Sequence, residues 1–432
     1  MKKDNIDIKY YKNFSRLLSI RDNSFNSMIL YFYFKVGSKY ETLNISGISH
    51  YLEHMVFKGT DNYPTHVEIN KTLDSQGIDF NAFTDKHMTA YHFKFIPNKD
   101  VLKLVCKIAN EMVFHPLNRT KDINTERNII IQELNDMLDS PDDHIDELLE
   151  CNFFEGHQLG QSVLGNVKSL HNITKKEIDL YHKKYYKKEN LVVAICGNFN
   201  KSHIDIIEKY VIKSESRKVI SNKPMTLFPI NFEFKKKMVY IKKRLEQNHL
   251  VLLFPTKGIL DRNRYCYKMI VNILGGNMSS KLFVKIREEL GLAYEISCSL
   301  QEYEESGYFQ IYTKCKSNDT IKALDNIIKL ISSFKKNEIK QKELLESKKN
   351  YQDTFITGFD DLETKCEFYS EQLLLLNKVD NYTKSLQVIN NISKQILLKV
   401  SNELFNYNRM MVMVMGKIDL KKINYFINQI IN

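Results

Sequence analysis

The sequence has no tryptophan, no Cys-x-x-Cys pair and no apolar run long enough to cross a bilayer. The missing Trp does not leave the chain short of core material. It carries 24 Tyr and 25 Phe among 432 residues, 43% of them hydrophobic, which describes a globular rather than a disordered chain. The seven Cys (106, 151, 196, 266, 298, 315 and 366) are odd in number and scattered. They read as buried free thiols in a reducing compartment. Apolar runs such as Leu373–Leu376 and Met410–Met415 are far short of the roughly 20 residues a spanning helix needs. The opening Met1-Lys2-Lys3-Asp4-Asn5-Ile6-Asp7 lacks the apolar segment of a signal peptide, and its two early Asp do not suit an acid-poor transit peptide. A soluble cytoplasmic protein with no membrane association is the expectation.

The formal net charge is +11, a balance compatible with an anionic partner. Most of the basic residues are dispersed. One run, Lys183-Lys184-Tyr185-Tyr186-Lys187-Lys188, interleaves with aromatics, but a surface helix end before the strand at Leu191 explains it as well. No nucleic-acid motif accompanies it, and no nucleic-acid partner is expected.

A chain of this length exceeds what one core fills, and parts of it are written twice. Leu191–Gly197 and Met410–Gly416 are both buried-strand patterns ending in Gly, each followed by an amphipathic helical stretch, Lys201–Ile212 and Leu420–Ile431. Met28–Phe34 pairs in the same way with His249–Phe254, and Gly77–Phe80 with Gly291–Tyr294. The three offsets, 219, about 220 and 214 residues, agree well enough to indicate tandem domains of similar fold. Helical periodicity covers Val101–Val113, Thr125–Leu138, Ile321–Phe334 and Leu362–Leu376, while Ile78–Thr84 and Met88–Ile96 have hairpin spacing. The reading is α+β: two similar domains, 1–213 and 235–432, each a largely antiparallel sheet packed with helices. Residues 214–234, polar and containing Pro224 and Pro229, read as the linker.

The first half contains His50-Tyr51-Leu52-Glu53-His54 within the apolar-periodic stretch Ile48–Phe57. On a helix, i and i+4 project from one face with i+3 beside them. Both imidazoles can then reach one ion, with Glu53 next to its open position. This is the H-x-x-E-H spacing of the inverzincins. The alternative is a helix with two incidental histidines. A catalytic zinc takes a third protein ligand and a water. Thr125–Leu138 offers Glu126 and Glu133, two turns apart on one face and flanked by Ile129, Ile130 and Met137. Buried carboxylates there would need a partner such as a metal. An ordinary packing face with two Glu at its rim fits equally well.

The run His50–Thr60 resembles the signature of the pitrilysin-like metallopeptidases, which include the mitochondrial processing peptidase and insulin-degrading enzyme. The resemblance continues through Gly77, Asn81-Ala82-Phe83-Thr84, Thr89-Ala90-Tyr91, Glu126–Glu133 and Leu164-Gly165. In the second half it covers Leu274–Phe283 and Arg287–Tyr294. It implies that His50, His54 and Glu133 bind one Zn2+, that Glu53 is the general base, and that Glu126 orients a ligand. It further implies that Asn81, Ala82, Phe83 and Thr84 form an edge strand pairing with an extended, unfolded peptide. Arg287 and Tyr294 would reach across from the second half to the scissile region. The activity implied is that of a zinc endopeptidase acting on unfolded or presequence-like peptides. A non-catalytic partner subunit of the same fold is the alternative, although such subunits characteristically lose parts of the metal motif. His87 stands where relatives usually carry Glu, which bears on subsite preference. The second half has no H-x-x-E-H and is expected to be the inactive copy. The acidic group Asp136, Asp139, Asp142, Asp143, Asp146 and Glu147 either attracts basic peptides or is a solvated helix start favoured by the macrodipole. Because the motif and the Arg–Tyr pair sit in one chain, a homodimer is expected.

Overall fold

A computed structural model describes residues 4–214, 234, 237–304, 306–336 and 339–431. The expected linker 214–234 therefore falls, but for its two end residues, outside the described residues. The chain forms two compact units. The first takes in the described residues of Met1–Cys151, Glu155–Leu227 and Gly358–Asn381, and the second those of Asn152–Phe154, Phe228–Thr357 and Tyr382–Asn432.

The first unit is built on six strands: β1 (Asn5–Tyr10), β2 (Arg16–Arg21), β3 (Met28–Phe34), β4 (Asp79–Thr84), β5 (Thr89–Phe95) and β6 (Leu191–Gly197). Their order is β1-β2-β6-β3-β5-β4, antiparallel except for the parallel pair β2–β6. Every residue of β3 and β6 is buried, which is why both read as unbroken apolar runs rather than alternating ones. The helices α1 (Ile48–Val56), α2 (His66–Asp74), α3 (Lys99–Phe114), α4 (Thr120–Asp139) and α5 (Pro141–Phe153) lie between β3 and β6 in the chain. α1 packs on β4, β5 and α4, and its Tyr51, Leu52, Met55 and Val56 enter the core.

The helix Leu362–Leu376 comes from the second half of the sequence but packs on β6 and β3 of the first unit. Polar pairs fix it there. Tyr31 Oη donates to Glu367 at 2.8 Å, Lys94 meets Glu363 at 2.9 Å, and Lys365 meets Asp4 and Asp22 at 2.8 and 2.7 Å. The basic-aromatic run is likewise drawn inward at one end. Tyr185, Tyr186 and Lys188 are buried, and the Lys188 ammonium reaches Asn110 and Ser214 at 3.1 Å. That end is a packing element rather than a solvated face.

The second unit has five strands: β7 (Lys237–Lys242), β8 (Gln247–Thr256), β9 (Ala293–Glu302), β10 (Gly307–Lys316) and β11 (Met411–Gly416). Their order is β7-β11-β8-β10-β9, with β7–β11 the one parallel pair. This repeats β2-β6-β3-β5-β4 strand for strand, including the position of the parallel pair. The expected duplication and the α+β class are both present. Among the described residues, no helix is long and apolar enough to cross a membrane.

Candidate metal centre

The start of α1 is fixed by contacts from outside the helix. Its N-cap residue, Gly47, has φ +94° and gives no side-chain cap. A Cβ at Gly47 would lie 2.7 Å from the Leu164 carbonyl oxygen, and one at Gly165 would lie 2.2 Å from that of Ser46. Only two glycines allow these backbones to approach so closely, which accounts for the Leu164-Gly165 element. Two of the orphan N–H groups are met by Glu41. Its carboxylate accepts from Gly47 N at 2.6 Å and from Ser49 N at 2.8 Å, satisfying donors that a helix start leaves free. Ser49 Oγ lies 2.8 Å from Tyr181 Oη.

One turn further on, the His50 and His54 rings lie with centroids 4.6 Å apart. α4 crosses beneath and brings Glu133 to them, with one carboxylate oxygen 3.9 Å from His50 Nε2 and the other 3.9 Å from His54 Nε2. One donor atom from each of His50, His54 and Glu133 lies within 4.8 Å of the others, the one such cluster among the described residues. Glu126, two turns earlier on α4, is buried. It takes the His54 Nδ1 side at 3.1 Å and the Lys58 ammonium at 2.6 Å. Holding Nδ1 by a carboxylate turns Nε2 toward Glu133, the arrangement typical of a metal-bound imidazole.

The face expected to carry Glu126 and Glu133 inward does so unevenly. Ile130 is buried, but Ile129 is exposed and the Glu133 side chain is 40% accessible. Glu133 thus sits at the rim, where an open coordination position would face solvent.

The electrostatics suit a cation. Burial, reinforced by the charge of His54, pushes His50 down to about 3, so it is the neutral imidazole that metals bind. Burial also depresses His54, but the hydrogen bond to Glu126 and the charges of Glu133, Glu53 and Glu126 outweigh it and raise its pKa. That environment favours added positive charge. Glu53 is held above the usual carboxylate range by burial, with Glu133 adding to the effect. The hydrogen bond from Thr84 and the charge of His54 partly offset it. Thr84 Oγ1 donates to Glu53 Oε2 at 2.5 Å. A neutral His, a second imidazole with a fixed tautomer and a carboxylate match, in type, the nitrogen–oxygen donors that zinc takes.

β4 lies at the open edge of its sheet, with Asn81, Ala82, Phe83 and Thr84 along it. His87 does not border that edge as a surface group. It is buried in the turn after β4, where burial and Lys39, Lys35 and Lys86 keep it neutral. Arg287 and Tyr294 come together in the second unit. The guanidinium lies 4.7 Å from the centroid of Phe283 and 5.6 Å from that of Tyr294, a residue that is 71% exposed. In the acidic group, burial and the neighbouring Asp142, Asp143 and Glu150 raise Asp146 to about 6. Glu41 and the side-chain roles of Lys58 and Thr84 are not among the sequence expectations. Lys58 left a faint signal, four residues after His54.

Known proteins resemble this chain over most of its length. Residues 16–167 match the family model "Insulinase (Peptidase family M16)", and residues 172–351 match "Peptidase M16 inactive domain". An uncharacterized zinc protease of Bacillus subtilis, YmxG, is 30% identical over 404 residues, covering 92% of this chain and 96% of its own. One from Rickettsia felis is 28% identical over 94% of this chain and 96% of its own. Among solved structures, a protease from Helicobacter pylori superposes with a TM-score of 0.87 at 21% identity, covering 96% of this chain and all of its own. A peptidase M16 inactive domain from Pseudomonas fluorescens gives 0.85 at 18%, covering 95% and 98%. The repeated five-strand topology, the H-x-x-E-H helix and these matches have one explanation: the chain belongs to peptidase family M16, the pitrilysin-like metallopeptidases.

Proposed function

We propose that this protein is a zinc-dependent endopeptidase that cleaves unfolded peptides. The observation that carries the reading is the convergence of His50, His54 and Glu133 within 4.8 Å, with Glu53 on the same helix as the two histidines. Zinc, when bound, supplies a Lewis acid and makes water easier to deprotonate. His50 and His54 would hold it through imidazole nitrogens, and Glu133 through its carboxylate. Glu53, with its raised affinity for a proton, takes one from the attacking water and returns it to the leaving amine. The open edge of β4 pairs with an extended substrate backbone, so a folded protein should resist. Arg287 and Tyr294 are the donors assigned to the substrate carbonyl as it gains charge. The names of the relatives, zinc proteases, point the same way.

The test is cleavage of an unstructured fluorogenic peptide with and without chelator, alongside Glu53→Gln. The expected result is chelator-sensitive turnover that Glu53→Gln abolishes while one zinc per chain is retained. A protein that binds zinc but cleaves no peptide would instead be a non-catalytic partner subunit. For assembly we propose a homodimer with an isologous interface. A fully active species sedimenting as a monomer across dilution would refute it.

A further inference from the structure

β4 has a feature that the peptidase reading does not use. It is an edge strand, ending at Thr84 where the chain turns into β5. The Asp85 N–H donates to Met88 O at 2.9 Å across that turn. Asp85 and Met88 are therefore a hydrogen-bonded pair, and in an antiparallel ladder bonded and non-bonded pairs alternate. With Thr84 opposite Thr89 and Ala82 opposite Tyr91, both pairs are of the non-bonded kind. The N–H and C=O groups of Ala82 and Thr84 thus point away from β5, toward the open edge. The Ala82 N–H agrees with this direction, for it donates to the Asn81 side chain at 2.9 Å instead of to the ladder.

While the Thr84 main chain faces the edge, its side chain reaches Glu53. Thr84 Oγ1 lies 2.5 Å from Glu53 Oε2 and 3.3 Å from Thr89 Oγ1. Thr89 spends its own proton on Val36 O at 2.9 Å, and a carboxylate can only accept. The single Thr84 proton is therefore directed to Glu53. With Oε2 held by this bond, the orientation of the whole Glu53 carboxylate is set.

We propose that Thr84 is a positioning residue: its main chain faces the edge where a substrate strand would pair, and its hydroxyl fixes the rotamer of the general base. This rests on the peptidase reading above. A peptide strand added at the β4 edge would fix Thr84 and with it the aim of Glu53. The residue resembling a family substrate strand would then serve orientation more than affinity.

Thr84→Val keeps the shape and removes the donor, while Thr84→Ser keeps the donor. The measurements are zinc content, kcat and KM on an unstructured fluorogenic peptide, with Glu53→Gln and chelator controls. For Thr84→Val, kcat should fall about 10- to 100-fold, as expected for a misaimed catalytic group, with KM within about threefold and one zinc per chain. Thr84→Ser should recover kcat to within about threefold of wild type. Wild-type kcat in Thr84→Val overturns the proposal. So does a Thr84→Ser as slow as Thr84→Val, which would assign the effect to the methyl group, or loss of zinc in Thr84→Val, which would assign it to the metal site. If the wild type shows no chelator-sensitive cleavage, or Glu53→Gln keeps full activity, the peptidase reading itself fails and takes this proposal with it. The other outcomes leave that reading intact.

Discussion

Replacing Glu41 by Gln should change how the stability of the protein depends on pH. Glu41 is 3% exposed and accepts two backbone N–H groups at the start of α1. Burial raises its carboxyl from 4.5 to about 7, although the hydrogen bonds from Ser49 and Gly47 and the charge of Lys86 oppose the shift. The folded state then keeps a proton that the unfolded chain has released. Stability from this group is fully present below pH 4.5, falls as pH rises from 4.5 to 7, and is flat above that. A shift of roughly 2.5 units corresponds to about 3 kcal/mol. Gln cannot ionise, so the variant lacks this loss. It also turns an NH2 toward one of the two backbone N–H groups, leaving a buried donor unmet at a cost of about 1–3 kcal/mol at any pH. Relative to wild type, Glu41→Gln should therefore gain about 3 kcal/mol between pH 4.5 and pH 7.5. It should be the less stable protein in acid and as stable or more so at neutrality. Urea unfolding of the zinc-stripped proteins at the two pH values, followed by circular dichroism, measures this. Parallel pH profiles for the two proteins would refute the reasoning.

Three further outcomes are expected. Lys58→Met should weaken zinc binding about 10-fold in a chelator competition, because Glu126 loses the cation that pins it against His54; Lys58→Arg should keep most of the affinity, and an unchanged affinity in Lys58→Met would remove Lys58 from the site. His54→Ala should bring the zinc content measured by atomic absorption near zero, and full occupancy would sink the ligand assignment. Gly165→Ala should lower the thermal midpoint, because its φ of +73° and the 2.2 Å approach of a Cβ to Ser46 O together cost at least about 1–3 kcal/mol; an unchanged midpoint would mean that the loop relaxes freely.

The parts of the site that could be read in the sequence are those whose partners are set by local geometry. His50 and His54 are one helical turn apart, so their spacing alone puts both imidazoles on one face. β3 and β6 are recognisable because burial on both faces writes a continuous apolar run. Glu41 and Thr84 could not be found this way. Thr84 is 31 residues from Glu53, and only the register of β4 beside α1 brings them together. Glu41 caps a helix whose N-cap position is glycine, so the usual Ser, Thr, Asp or Asn signal is missing. The helix Leu362–Leu376 was legible as a helix, with the bounds expected. Which sheet it covers depends on pairs such as Tyr31–Glu367 and Asp22–Lys365, 336 and 343 residues apart, and no periodicity encodes that choice.

The duplicated topology also lets the helix pair with the candidate ligand set be compared with its counterpart in the second unit. In the first unit, α1 follows β3 and α4 follows α3, and this helix pair holds His50, His54 and Glu133. In the second, Arg264–Leu274 follows β8, and Gln341–Gly358 follows Thr320–Lys335, so these two helices occupy the corresponding places in the chain order. Where the first pair is joined by imidazoles and a carboxylate, the second is joined by neutral groups. Asn272 donates to Asn350 at 2.8 Å and accepts from Ser347 at 2.7 Å. Amide and hydroxyl groups that satisfy one another directly need no ion between them, and they offer zinc neither imidazole nor carboxylate. The first pair is different: its imidazole nitrogens and carboxylate oxygens stand 3.9 Å apart, beyond direct hydrogen bonding, with excess negative charge around them. The same fold can close the helix pair on itself or hold it open around a cation, and the side chains at a few positions on the two helices decide which.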